Sequence, residues 1–566
     1  MNQEIAGIPH TQHAVQLVGP GELRLNAAKA VHRPGPHQVL AKVEAVGLCF
    51  SDLKLLKQFG EHGRKLPIVS GIAPEVLAEI PSYVPSDAPT VPGHETVVRI
   101  VATGDKVRHA EVGGRYLVQT DYRWLPTGKS NGSFGYNFEG ALQEYVLMDE
   151  RVIVDPASGE SMLIPVGEEP SAAAICLVEP WACVEDSYVT RERQSVKAGG
   201  RLLVVCTDPR RIDGLVESFS PDGPPSHITA VVDDAQERQL NELGLEFDTH
   251  RCLGHLPKGA EFDDVVFYGG SAASIEGSAA FLANGGIMNV VLGGERIERD
   301  VSISIGRTHY GLCRWVGTTG SNAAESYRAI PPDGEIRDGD SVVIVGAGGP
   351  MGQMHVLRDV ATGHKDVSVT ATDLDGERLE SLRAKAGPPA QANGVALRVL
   401  NTKDAPDDSA YSYHAIMAPV PALVASAVQH CLPDARINVF AGIPAGVEAE
   451  IDLQACIANR CFIFGTSGSV IRDMKIVLEK LSAGQLDTNA SVDAVSGMAG
   501  AIEGIHAVEN RTLAGKIIVY PQLHDVPLTP LSELADRFPS VAAKLDGGAW
   551  CRAAEKELLR TAGRNT

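Results

Sequence analysis

The stretch IRDGDSVVIVGAGGPMG, residues 336–352, decides how the fold is read. A glycine turn runs into SVVIV, a short and almost wholly apolar segment of the kind buried on both faces of a parallel sheet. Glycines follow at once: Gly346, Gly348, Gly349 and Gly352, with Pro350 and Met351 before the last. Glycine lets the backbone turn tightly after a strand and lets a pyrophosphate approach the N-terminus of the next helix. A second run, VSVTATD, ends at Asp373, 21 residues past Gly352. A carboxylate at that strand end accepts hydrogen bonds from a ribose 2′-hydroxyl and repels a 2′-phosphate, so the spacing predicts NAD(H) rather than NADP.

The same texture occurs earlier in the chain. VKAGGRLLVV (196–205) parallels IRDGDSVVIV (336–345), and the segment at 263–294 parallels that at 413–443. The closers RWVGTTGS (314–321) and IFGTSGS (463–469) also match. Ordered matches at a near-constant shift indicate an internal repeat of βα units. The reading is two tandem Rossmann-like, doubly wound parallel-sheet units. The first copy has CTDPRRIDG (206–214) where the second has its glycines, and Pro209 removes a backbone donor. It is expected to be a degenerate, cofactor-free unit, with Arg210 and Arg211 solvated.

Composition narrows the rest. The 566 residues imply about three to four domains. A net charge of −21 argues against nucleic acid or an anionic membrane as partner. No apolar run is long enough to span a membrane, and the first residues lack a basic segment followed by an apolar one, so neither a transmembrane helix nor a signal peptide is expected. Ten scattered cysteines without a CxxC pair suggest a reducing cytoplasm. Residues 1 to about 155 read as β-rich, 171–189 as a helix kinked or broken at Pro180, and the last stretch as two helices.

Within the β-rich part stand Cys49 in GLCFSDLK, His94-Glu95 in PGHE, and Glu179 in VEPWAC. Thiolate, imidazole and carboxylate are the ligands of catalytic zinc. Cys49-x-Ser51-Asp52, Gly93-His94-Glu95 and Glu179-Pro180, followed by a Rossmann unit, resemble the zinc-dependent medium-chain dehydrogenase/reductases (alcohol and polyol dehydrogenases). Within that superfamily the L-sorbose-1-phosphate reductases look most alike, through LCFSDLKLLKQFGEHGRKLP, LVEPWACVEDSY and GTSGSVIRDMKIVLEKLSAGQL. The resemblance implies a GroES-like catalytic domain, residues 1–195 with 480–566. The degenerate Rossmann-like unit then spans 196–325 and the NAD-binding unit 326–479.

The resemblance further implies that Cys49, His94 and Glu179 hold one zinc ion. Glu95 would act as a fourth ligand or from behind the first ligands. Ser51 would relay the alcohol proton, Asp52 would orient His94 or the local turn, and Lys54 would shuttle the proton or bind a substrate phosphate. The superfamily's structural zinc needs four close cysteines, and this chain has none between Cys49 and Cys176, so a single ion is expected. SGIAPEVLAEIPSYVPSDAPT (70–90) is extra, and would rim the active-site mouth.

A basic cluster of Lys54, Lys57, His62, Arg64 and Lys65 would suit an anionic substrate. The expected activity is hydride transfer between NAD(H) and a secondary carbon of a polyol, ketose or sugar phosphate. The alternatives are an unphosphorylated alcohol, amino alcohol or hydroxy acid as substrate, or a non-catalytic binding protein on a dehydrogenase scaffold. Two assemblies stay open: a homo-oligomer, or a monomer whose two Rossmann-like units pair within the chain.

Overall fold

The computed structural model describes residues 7–206 and 208–563. The chain packs as two compact units, Met1–Ala182 with Ser469–Thr566, and Cys183–Gly468.

The first unit is built on an eight-stranded sheet ordered Thr529–Pro530, Val492–Ser496, Lys516–Val519, Gln38–Gly47, Glu95–Thr103, Arg115–Val118 and Leu163–Pro165. The eighth strand, Tyr145–Asp149, pairs with the first half of Gln38–Gly47. Strand Gln38–Gly47 is thus central. It is buried along almost its whole length, as its apolar sequence QVLAKVEAVG requires. Its last residues carry the important register: Gly47 lies opposite Glu95 on one side and opposite Ile518 on the other. The predicted break near Pro180 falls at Leu177, between helices Ala172–Cys176 and Val178–Val189. Pro180 sits in the first turn of the second helix, where no donor is missed. The tail folds as Leu534–Arg537, Pro539–Ala542 and Arg552–Ala562.

The second unit is one twelve-stranded sheet. Its first half runs in the order Asp248–His250, His227–Val231, Arg201–Cys206, Phe262–Tyr268, Leu282–Val291, Arg314–Thr318. The second half continues through Phe462–Phe464, Cys431–Val439, Tyr411–Ile416, Ser341–Val345, Ser368–Asp373 and Ala396–Asn401. All pairings inside each half are parallel, and numbered within its half each follows the order 3-2-1-4-5-6 of Rossmann-type sheets. The halves meet antiparallel, Trp315 opposite Ile463. A second antiparallel ribbon, Val301–Ser304 with Glu448–Ile451, also joins them. One apolar cluster runs through the junction, from Leu203, Phe267 and Met288 through Trp315 to Ile437 and Ile463.

Packing groups the chain into two units with edges near 183 and 469, and the second holds both repeated halves. A shared sheet and core join those halves. Two of the cysteines stand together. Cys431 opens strand Cys431–Val439, Cys461 precedes its parallel neighbour Phe462–Phe464, and the two side chains meet. A spacing of 30 residues gives no hint of this in a list of cysteines.

Candidate active site

The register around Gly47 assembles the candidate metal centre. Two residues past this strand, Cys49 caps helix Phe50–Gln58, and Glu95 opens the neighbouring strand with His94 just before it. Lys516 opens the strand on the other flank. A side chain at Gly47 would put its Cβ 2.3 Å from Glu95 Oε2, so only glycine lets that carboxylate lie against the strand end.

The ligand atoms of Cys49, His94 and Glu95 lie within 4.8 Å of one another. Ser51 Oγ donates to Cys49 Sγ at 3.1 Å and lies 3.1 Å from His94 Nε2. Asp52 serves both the helix and the ring: Oδ2 accepts from Cys49 N, and Oδ1 lies 3.1 Å from His94 Nδ1. Burial disfavours charge on His94, but the Asp52 carboxylate outweighs it and holds the imidazole well above its usual pKa. Lys516 Nζ donates to Glu95 Oε1 and to Leu48 O, making an ion pair almost wholly out of water. Burial works against the Lys516 charge too, and the Glu95 carboxylate reverses it, holding the pKa above the ordinary lysine value.

This donor set fits a zinc ion. Glu95 Oε2 is buried without a hydrogen-bond partner. Glu179, also buried, has its carboxyl pushed up to about 7 by desolvation, against the pull of His94 and Lys516 and with Glu95 adding to the shift. A cation held beside Glu95 Oε2 would give that buried oxygen a partner.

The glycine strip of the second unit is equally well formed. Gly346 takes φ +85°, and its N–H and that of Ala347 both donate to Thr372 O at 2.9 Å. Gly348 N donates to Asp373 Oδ2 at 2.8 Å, while Asp373 Oδ1 accepts from Leu374 N. Gly349 caps helix Pro350–Ala361, with Pro350 in its first turn and Met351 next. At Gly352 a Cβ would meet Gly346 O at 2.4 Å, so glycine there allows the helix to close on the turn.

Residues 35–157 match the alcohol dehydrogenase GroES-like domain family. A sorbitol dehydrogenase of Sus scrofa is 34% identical over 97 residues, 17% of this chain and 78% of that protein. The chain belongs to the medium-chain dehydrogenase/reductase superfamily. An L-sorbose 1-phosphate reductase of Klebsiella pneumoniae is 24% identical over 351 residues, 56% of this chain and 78% of that one. A Sinorhizobium meliloti 1021 structure, solved as a candidate alcohol dehydrogenase, matches at a TM-score of 0.50 and 13% identity. That match covers 91% of this chain and 99% of the other, and it is a likeness of fold alone.

In this medium-chain dehydrogenase/reductase the residues predicted to touch substrate divide. Lys54 is exposed one turn beyond Ser51, and its charge reaches His62. Arg64 pairs with Asp121 at 2.9 Å and lies over the Tyr136 ring, 5.4 Å from its centre. Lys57 is a correction: it points to solvent and pairs with Glu509 at 3.3 Å. Lys65 is another. Its ammonium is fully buried and donates to Val84 O and Ala88 O, and burial lowers its pKa to about 7. It anchors the inserted segment from inside rather than facing a substrate.

The sequence reading missed two residues. Lys516 has no local motif, and only strand pairing brings it to Glu95. Tyr136 sits in the loop behind the site, its ring 5.8 Å from His94 and 5.1 Å from His62, and its hydroxyl shares a hydrogen bond with Ser51. An aromatic among the glycines of NGSFGYNFEG was the available signal. Segment 70–90 packs on the same loop, Val84 N donating to Asn137 O and the Tyr83 ring lying 5.0 Å from Phe138.

Proposed function

We propose that this protein is a zinc-dependent oxidoreductase that moves hydride between NAD(H) and a secondary carbon of a polyol, ketose or sugar phosphate. The observation that carries the reading is the convergence of Cys49, His94 and Glu95 around Ser51. Bound zinc supplies a Lewis acid that polarises the substrate oxygen, and NAD(H) supplies the hydride chemistry. The chain's own residues do the rest. Asp52 holds the His94 ring through Nδ1 and leaves Nε2 to face a metal. Lys516 Nζ donates to Glu95 Oε1 and holds that carboxylate in place. Ser51 Oγ carries the alcohol proton, and Lys54 on the exposed side of the same helix passes it to water. Cys49, His94 and Glu179 are the proposed ligands, with Glu95 either joining them or bearing on the ion from behind.

A phosphate on the substrate is supported by Arg64, Lys54 and His62. Burial lowers His62 to a pKa of about 4, and the Arg64 and Lys54 charges push the same way, so an anion is favoured beside it. The sugar phosphate in the name of the Klebsiella relative agrees. Segment 70–90, packed on the Tyr136 loop, rims the substrate. Assays with NADH and NADPH across polyols, ketoses and their phosphates, before and after chelation, test the activity. Arg64→Glu should raise KM for a phosphorylated substrate about 10- to 100-fold, the loss of one charge-assisted contact. An unchanged KM favours the unphosphorylated substrates.

For the cofactor, the glycines at 346–352 hold the pyrophosphate and Asp373 the adenine ribose, in a unit spanning 326–479. The half at 196–325, with Pro209 in place of the glycines, is a cofactor-free copy that pairs within the chain as a second subunit would. Two arrays of order 3-2-1-4-5-6 joined edge to edge support this. In Gly352→Ala the new Cβ overlaps Gly346 O, a strain of about 1–3 kcal/mol. NADH titration should show affinity falling about tenfold or more, with zinc content unchanged.

A further inference from the structure

A second set of metal-ligating side chains shares no residue with the first. His13 lies on strand Thr11–Gly19, Glu144 directly precedes strand Tyr145–Asp149, and His524 lies in the loop after Lys516–Val519. Their ligand atoms fall within 4.8 Å of one another. His524 Nε2 is 3.0 Å from Glu144 Oε1, and His13 Nδ1 is 3.6 Å from Oε2. The two rings face each other, centroids 3.8 Å apart. All three side chains are partly buried.

These contacts are not hydrogen bonds. The His13 distance is too long, and His524 Nε2 is buried with no hydrogen-bond partner although a carboxylate oxygen lies beside it. Two imidazole nitrogens within ion-pair distance of one carboxylate, without hydrogen-bond geometry, are grouped as ligands around a common centre would be. One shared ion satisfies all three groups. The carboxylate is fixed in advance: Glu144 Oε2 accepts from His13 N at 2.8 Å. On either side Gln12 donates to Gln143 and accepts from Tyr145 N.

The geometry points to a second transition-metal site, held by His13, Glu144 and His524, for a divalent ion of the zinc class. Two imidazoles and one carboxylate suit zinc, cobalt or nickel, and offer too few oxygens for calcium or magnesium. Partial exposure leaves room for water as a fourth ligand. The ion would clip the N-terminal strand and the loop after Lys516–Val519 to the segment leading into Tyr145–Asp149, within one unit. The expectation of a single zinc counted cysteine clusters and could not see this set.

Zinc content after loading with zinc salt alone and desalting tests the site. Wild type should hold two equivalents, Cys49→Ala one, His13→Ala/His524→Ala one, and the triple variant none. Glu144→Gln, which keeps the shape, should lose the same equivalent as the histidine variant. In the Cys49→Ala background zinc should raise Tm, and the rise should vanish in the triple variant. The inference is overturned if Cys49→Ala is zinc-free, or if the histidine and Glu144→Gln variants keep the wild-type content. Failure of the Cys49 centre looks different: one equivalent in wild type, kept in Cys49→Ala and lost with the histidines.

Discussion

Cys49→Ala is expected to lose the catalytic zinc equivalent and to lower kcat/KM by about a thousandfold or more. A Lewis acid contributes several kcal/mol to stabilising charge on the substrate oxygen, and about 4 kcal/mol corresponds to that factor. The thiol is the one sulfur in the set and also the acceptor for Ser51 Oγ at 3.1 Å, so its loss removes a ligand and frees the proton-relaying hydroxyl. The fold should survive. Cys49 is only partly buried, and the helix it caps is still closed by Asp52 Oδ2 accepting from residue 49's backbone N–H. NADH affinity should hold too, since the glycine strip belongs to the other compact unit. Zinc content, circular dichroism, NADH titration and kcat/KM on one preparation separate loss of metal from loss of structure. Full activity in Cys49→Ala would sink the zinc mechanism. Ser51→Ala, measured alongside, should keep its zinc and lose about 100- to 10,000-fold in kcat, as for removal of a general acid–base group.

What could be read in the sequence, and what could not, follows from how far apart the cooperating residues lie. The glycine strip and Asp373 were legible because a turn, a close helix approach and a strand end sit at fixed short spacings. Cys49, Ser51 and Asp52 share one helical turn, so their grouping was also visible. Lys516 was not: 421 residues separate it from Glu95, and only the pairing of three strands brings them together. Lys65 misled because a lysine beside His62 and Arg64 reads as part of a basic cluster for an anionic substrate. Its burial depends on the carbonyls of Val84 and Ala88, which the inserted segment turns inward. The repeat gave the number of βα copies, but a repeat carries no information about which strand edges meet. The Trp315–Ile463 junction is a property of packing.

The other large effect concerns that same lysine. Lys516→Met keeps an unbranched side chain of similar length and removes the charge. Glu95 is then left fully buried, with Oε1 stripped of its partner and Oε2 already without one. Breaking a buried ion pair from one side costs about 3–5 kcal/mol, far more than the pair contributes relative to a neutral substitute. In metal-free protein the unfolding free energy from urea denaturation should therefore fall by that amount, and Leu48 O loses a donor as well. The double variant Lys516→Met/Glu95→Gln should recover most of the loss, because the remaining amide carries no charge that needs an ionic partner. Zinc should also restore part of the stability of Lys516→Met, since a cation held by Cys49 and His94 lies beside the same carboxylate. A single variant within about 1 kcal/mol of wild type, the usual worth of an exposed pair, would mean that Glu95 reaches water or is neutral in the native protein. A double variant no better than the single one would mean that Lys516 acts through Leu48 O rather than through Glu95.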